Sequence, residues 1–179
     1  MSGAAFNSRS KIIAGLLRNT LEPNLGFTGT GQEVSIMRST LVRKNILVED
    51  ENGNMKISLH TGDERLDNML SIISGFIQGA KRKGECGFDE LYHSLMSPEC
   101  GIGIRKSLIP IYLAAVLHEY RQEAVIVGDM GQIPTGLDAL LQIEAEPSQY
   151  RLQYLAWDPE KEEFIKELDD IFSEYVIDA

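Results

Sequence analysis

Hydrophobic residues recur at the three-to-four-residue spacing of an α-helix in seven segments of the chain. The first predicted helix begins near Ser8 or Ser10, either of which can cap it, and the last one begins at Asp158-Pro159. They span residues 8–21, 32–44, 63–81, 88–96, 105–120, 137–143 and 158 onward. The pattern therefore predicts a chain that is mainly helical.

Short apolar runs between these helices predict strands. They cover residues 46–49, 55–59, 124–128, 132–134 and 150–155. Asn52-Gly53 lies between the first two runs, and Asp129-Met130-Gly131 lies between the next two. Turn residues of this kind between two apolar runs are typical of β-hairpins, so we expect two hairpins.

The centre of the chain has the element order of a winged helix-turn-helix. A short helix at 88–96 is followed by a glycine-containing loop, a longer helix at 105–120 and the second hairpin. The same order also occurs in unrelated α+β domains. We predict an α+β, mainly α fold with three parts: a helical part with a small hairpin (1–84), a winged-helix-like unit (85–157) and a C-terminal amphipathic helix (158–179) that packs on the same core.

Composition supports a folded chain with a hydrophobic core. The 179 residues are 43% hydrophobic and 25% charged, a balance that excludes wholesale disorder. No apolar run approaches the roughly 18 to 20 residues of a membrane span, and the N-terminus lacks the pattern of a secretory signal. Two cysteines, Cys86 and Cys100, argue against a disulfide framework. We expect an intracellular, cytoplasmic protein.

The formal net charge of −10 belongs entirely to the second half of the chain. Residues 1–90 contain 11 Lys and Arg and 11 Asp and Glu, whereas residues 158–179 alone contain 9 acids and 2 lysines. A global excess of acid argues against binding to nucleic-acid phosphates, but it does not exclude an anionic partner for the first half.

The sequence lacks the usual motifs of nucleotide and metal sites. The glycine-rich segment 26–31 is followed by Gln32 and Glu33, whereas a P-loop needs a lysine and a hydroxyl there. The histidines and cysteines do not form the close pairs that zinc sites use. We therefore predict no cofactor and no metal ligand, and we interpret the glycine-rich segment as a turn before a helix.

Covalent catalysis would need Cys100 or a serine together with His93 or His118. No G-x-S-x-G elbow is present, and three histidines are no enrichment. We expect His93 on the outer face of a helix and His118 near a helix end, where an imidazolium would suit the helix dipole. The prediction is a non-catalytic chain.

Five cations are candidates for contact with nucleic acid. They are Lys81, Arg82, Lys83, Arg105 and Lys106. The first three also suit the C-terminal end of a helix that Gly84 would close, and the other two would open the presumed recognition helix. The second hairpin contains Asp129 but no cation, whereas DNA-reading winged helices usually carry basic residues there. Protein contact is the favoured interpretation, and DNA contact is the alternative.

Residues 88–114 resemble a pattern found in large prokaryotic P-loop ATPases of the anti-phage, BREX-like kind. The pattern is a helix, a turn like Pro98-Glu99-Cys100-Gly101-Ile102 leading to Arg105, an apolar helix entered by Ile109-Pro110, and a hairpin. The similarity extends over roughly residues 12–155, with Cys100 at a position where an aromatic residue is common. In such proteins the nucleotide-binding core lies elsewhere in the chain, so the resemblance implies no catalytic residue here.

The resemblance and the missing motifs together give a functional hypothesis. We expect a non-catalytic protein-interaction or regulatory module, cut from a larger intracellular ATPase-type protein of the defence kind. Its partners would be neighbouring domains or subunits of that parent protein. The alternative is a nucleic-acid-binding winged-helix domain.

Overall fold

The computed structural model describes residues 2–155 and shows a mixed α+β fold that is mainly α, as the sequence predicts. The helices are α1 (Gly3–Leu16), α2 (Gln32–Met37), α3 (Glu64–Lys83), α4 (Phe88–Met96), α5 (Ile109–Tyr120) and α6 (Leu137–Ala145). The strands are β1 (Leu47–Glu49), β2 (Met55–Ile57), β3 (Glu85–Gly87), β4 (Ala124–Gly128), β5 (Gly131–Ile133) and β6 (Arg151–Tyr154). The predicted C-terminal helix from Asp158 lies outside the described residues.

Capping residues at both ends define helix α3. The Asp63 carboxylate accepts hydrogen bonds from the backbone N–H groups of Arg65 and Leu66, which satisfies two donors of the first turn. Gly84 ends the helix with φ +92°, a conformation that side chains disfavour. The predicted boundaries of 63–81 are therefore correct to within about one turn.

Two predicted helices have different limits from those that their periodicity suggests. Helix α1 begins at Gly3, because the Ser2 side chain caps it, and it ends at Leu16 rather than near 21. Helix α2 changes to a π-turn over Arg38–Val42. The predicted helix from Arg105 is also wrong at its start, because Lys106–Leu108 form a 3-10 turn and α5 begins only at Ile109, with Pro110 in its first turn.

Both hairpins form as predicted. Strands β1 and β2 pair antiparallel, and so do β4 and β5. The order of the larger sheet, β3-β6-β4-β5, was not predicted, because β6 inserts between β3 and β4 after a long excursion through α6. Strand β3, which has only three residues, is absent from the predicted strands.

One continuous hydrophobic core joins the N-terminal helices to the sheet. It extends from Ile12 on α1 to Leu152 on β6 and has α5 at its centre. Every residue of α5 from Ile109 to His118 is buried. A helix that is apolar on all sides belongs in the interior of a protein, so α5 is the element around which the rest packs.

Within residues 2–155, no helix is both long and apolar enough to cross a lipid bilayer.

Candidate functional site

A cleft at the start of α3 combines an apolar floor with a cationic rim. It has a volume of about 420 Å³ and lies between α3, the segment after α2 and the loop that joins α4 to α5. We call it the cationic cleft. Its charged lining residues are Lys44, Arg65, Arg105 and Asp63, and its apolar lining residues include Leu66, Met69, Ile102, Ile104, Leu108 and Tyr112.

The rim of the cationic cleft carries an excess of positive charge. The side chains of Lys44, Arg65 and Arg105 are exposed, and within residues 2–155 none of them forms an ion pair. The carboxylate of Asp63 is already engaged by the first turn of α3. The N-terminal end of the α3 dipole adds further positive potential at the same place. The cleft therefore favours an anionic group at its rim.

The second half of the loop from Ser97 to Arg105 forms one wall of the cleft and is held by two hydrogen bonds. The Arg65 guanidinium donates to the Ile102 carbonyl over 2.6 Å, and the Ile104 N–H donates to the Leu95 carbonyl. Ile102 is buried, so the loop is anchored by an apolar side chain as well as by hydrogen bonds. This wall is preformed rather than created by a ligand.

Tyr112 lies at the bottom of the cleft and is only 7% exposed. Its burial raises the pKa of the phenol above the ordinary value of 10. The hydroxyl stays protonated at neutral pH, so the floor of the cleft adds no negative charge that would repel an anion.

A second groove lies between α3 and α4, with a volume of about 250 Å³. We call it the α3/α4 groove. Its lining consists of Ile72, Gly75, Phe76, Gly79, Arg82, Lys83, Cys86, Glu90, Leu91 and Ser94. Burial raises the pKa of the Cys86 thiol, an effect that the nearby Lys83 charge partly opposes. Cys86 belongs to β3 and lines this groove.

The structure separates the five predicted cations into two groups. Lys81, Arg82 and Lys83 lie at the last turn of α3, whereas Arg105 lies in the cationic cleft beside the first turn of that helix. Arg65 and Lys83 are 18 residues apart on α3, which corresponds to about 27 Å along the helix axis. Lys106 is half-buried in the 3-10 turn before α5. The five cations therefore do not form one continuous patch.

Two residues of the cleft rim, Lys44 and Arg65, were missed by the sequence analysis. Lys44 carries no local signal. Arg65 does, because a cation in the first turn of a helix opposes the helix dipole and so indicates some other requirement. That requirement is its hydrogen bond to Ile102, 37 residues further along the chain.

The residues considered for catalysis lie in separate environments. His93 is on the exposed side of α4, as predicted, and Cys100 is exposed in a 3-10 turn. His118 is buried at the end of α5 and donates from Nδ1 to the Leu16 carbonyl over 2.8 Å. Among residues 2–155, no group of three or more His, Cys, Asp and Glu could hold a metal ion.

The predicted imidazolium role of His118 is wrong. The Leu16 carbonyl can only accept, so Nδ1 carries the proton and the neutral ring turns Nε2 toward the Arg121 guanidinium, 3.5 Å away. Burial lowers the pKa of His118, the Leu16 hydrogen bond opposes this effect, and the Arg121 charge lowers the pKa further. His118 is a structural link between α1 and α5.

This link makes stability depend on pH. As the pH falls below about 6.5, His118 takes up a proton more readily in the unfolded state than in the folded state. The free energy of unfolding therefore decreases as the pH falls from 7.5 to 5.5, by up to about 1.4 kcal/mol per pH unit. Urea unfolding at several pH values measures this slope. His118→Asn keeps a donor for Leu16 and cannot be protonated, so it should lose part of the slope, whereas His93→Asn on the exposed side of α4 should retain all of it. Equal slopes in the two variants would contradict the assignment.

Comparison with known proteins identifies no relative: no protein-family model matches the chain, and searches of curated proteins and of solved structures find no significant match.

Proposed function

We propose that the chain is a non-catalytic interaction module of a larger, intracellular ATPase-type protein, and that it docks a neighbouring domain or subunit through the cationic cleft. The observation that carries this proposal is the composition of the cleft, in which three cations that form no ion pair within residues 2–155 surround an apolar floor. The resemblance of residues 88–114 to large prokaryotic ATPases of the BREX-like kind suggests the parent protein and a place in the cytoplasm.

The chemistry of the cleft defines the kind of segment it would receive. An apolar side chain on the floor would contact Met69, Leu108 and Tyr112, while a carboxylate beside it would meet Arg105 and Lys44. A volume of about 420 Å³ suits a small anchor group rather than a whole domain face. The partner is therefore expected to present one or two apolar residues flanked by acids, and the surrounding surface would complete the interface.

The position of the cleft supports a regulatory role. Its loop wall leads directly into α5, the central helix of the core, and Arg65 connects that wall to α3. A partner segment that enters the cleft contacts the loop, α3 and α5 at once. In a parent ATPase, a nucleotide-dependent movement of the partner would act on this module through those contacts.

The alternative function is nucleic-acid binding, which the exposed cations of the cleft and the triplet Lys81 to Lys83 favour. Three observations weigh against it. Helix α5 is buried over ten residues and offers no exposed face to a DNA groove. The hairpin tip carries Asp129 and the fully exposed Met130 but no cation. The two cationic groups lie at opposite ends of α3.

A double charge reversal in the cationic cleft tests the proposal. Lys44→Glu with Arg105→Glu should weaken the affinity for the remaining parts of the parent protein by more than about tenfold, or about 1.4 kcal/mol, since like charges would then face the acids of the partner. Isothermal titration calorimetry measures the affinity. The matched control is Lys56→Glu with Arg38→Glu, two exposed cations outside the cleft, which should leave the affinity unchanged.

Two results would contradict the proposal. One is the absence of any contact between the wild-type chain and the rest of the parent protein at micromolar concentration. The other is an equal loss of affinity in the control variant. A titration with duplex DNA at low salt separates the alternative: salt-dependent binding that the cleft variant loses would assign the cations to phosphates instead.

A further inference from the structure

Strand β6 brings the end of the described chain to the basic turn of α3. The ring of Tyr154 lies under the Lys81 ammonium, with 5.0 Å between Nζ and the ring centroid. The next residue, Leu155, donates its N–H to the Glu123 carbonyl over 2.7 Å. The chain therefore continues toward Asp158 from a point beside Lys81, and the two intervening residues can span only about 10 Å.

The α3/α4 groove opens at the same end of α3. Ile72 and Phe76 are partly buried hydrophobic residues at its floor, and Leu91 on α4 is buried beside them. Because Gly75 and Gly79 have no side chains, the groove is open along one side of α3. Arg82 and Lys83 are exposed at its rim and form no ion pair within residues 2–155. Glu90 on α4 is exposed and also lines the groove, so the charged lining residues keep an excess of one positive charge over an apolar floor. This combination favours an occupant with apolar and acidic groups.

The segment 158–179 has this composition. It contains 9 acids and 2 lysines, and its apolar residues recur at the spacing that predicts an amphipathic helix. These residues are Phe164, Leu168, Ile171, Phe172 and Tyr175. The charge of the segment is opposite to that of the groove rim, and its apolar stripe matches the floor.

We propose that segment 158–179 docks in the α3/α4 groove of its own chain, with apolar side chains on the floor and carboxylates at Arg82 and Lys83. The short connection from Leu155 keeps the segment at an effective concentration in the millimolar range near the groove, which favours docking within one chain over docking of a second copy. The proposal does not depend on the cationic cleft or on its partner, because the two sites lie at opposite ends of α3.

The thiol of Cys86 reports on occupancy of the groove in the full-length chain. A docked segment shields it, so Leu168→Ser with Phe172→Ser should raise its rate of labelling by a maleimide, by about tenfold if the segment covers the groove about nine-tenths of the time. The substitutions change no charge near the thiol. Cys100, exposed in its 3-10 turn, is the internal control, and its rate should stay the same. An unchanged Cys86 rate would overturn the proposal.

Disulfide trapping provides a second, independent measurement. In a Cys100→Ser background, Leu168→Cys should form a disulfide with Cys86 under mild oxidation much faster than Lys166→Cys, which lies on the opposite side of the predicted helix. Mass spectrometry of the monomer identifies the product. Equal rates at the two positions would contradict docking through the apolar stripe. Disulfide trapping that yields mainly dimers would assign the groove to a second copy and overturn docking in cis. Protection of Cys86 from the maleimide that rises with protein concentration would do the same.

Discussion

Replacing Arg9 by leucine is expected to lower the free energy of unfolding by about 3 to 5 kcal/mol, one of the largest single-residue effects in this protein. Arg9 is only 5% exposed, although it lies on the first helix of the chain. Its Nη1 atom donates to Glu144 Oε1 on α6 over 2.7 Å and to the Ser107 carbonyl before α5 over 2.9 Å. One guanidinium thus connects α1 to two elements that lie about a hundred or more residues away.

The cost of the substitution comes from the groups that remain. Without Arg9, the Glu144 carboxylate is left in a site where its side chain is 17% exposed, and the Ser107 carbonyl loses this donor. A buried charge without a partner is destabilising even where the ion pair itself contributes little. Arg9→Leu combined with Glu144→Leu should therefore be more stable than Arg9→Leu alone. Urea unfolding of the three proteins measures both differences.

The ion pair between Arg18 and Glu22 is the matched control. It also involves an arginine near α1, but its side chains are 56% and 52% exposed. Water already solvates both charges, so Arg18→Leu should change the free energy of unfolding by no more than about 1 kcal/mol. If Arg9→Leu costs no more than Arg18→Leu, the network around Arg9 does not hold α1 in place.

Elements with local signals could be predicted from the sequence. The Asp63 cap and the Gly84 terminator defined α3, and Asn52-Gly53 defined the first hairpin. Helix α4 has the predicted limits of 88–96 because its apolar spacing is regular and the loop after it begins with Ser97-Pro98. In each case, neighbours within a few residues determine the conformation.

Features that depend on distant contacts could not be predicted in this way. Strand β3 has three residues and exists because β6 pairs with it more than sixty residues later. Arg9 carries no local sign that it meets Glu144, and Arg65 shows only that it conflicts with the dipole of its own helix. The cationic cleft was missed for the same reason, since its residues come from three separate segments of the chain.

One feature was visible in the sequence and was misinterpreted. The segment from Ile109 to Leu117 contains no charged residue, so it offers no polar face along more than two helical turns. A helix that reads DNA must expose one side to solvent, whereas a helix without a polar side belongs in a core. The absence of charged residues from this segment is enough to argue against α5 as a recognition helix.

The burial of α5 leads to the second large effect: asparagine at any one of four successive positions should lower the free energy of unfolding by about 2 to 4 kcal/mol. The positions are Ile111, Tyr112, Leu113 and Ala114, which together cover about 300° of the helix circumference. Leu113 and Ala114 are fully buried, Ile111 is 1% exposed and Tyr112 is 7% exposed. Each asparagine would remove apolar contacts or force a larger polar amide into a packed site.

Glu119 on the same helix provides the control, since it is exposed and Glu119→Asn should change the free energy of unfolding by no more than about 0.5 kcal/mol. Denaturant unfolding of the five variants measures the whole pattern. A recognition helix would give a different pattern of unfolding free energies. Its exposed, DNA-contacting side would include one or two of the four positions, and those positions would tolerate asparagine. A single tolerant position would therefore support the nucleic-acid interpretation of this helix. If all four positions are intolerant, α5 is not a contact surface, and the surface clefts are the places where this chain binds a partner.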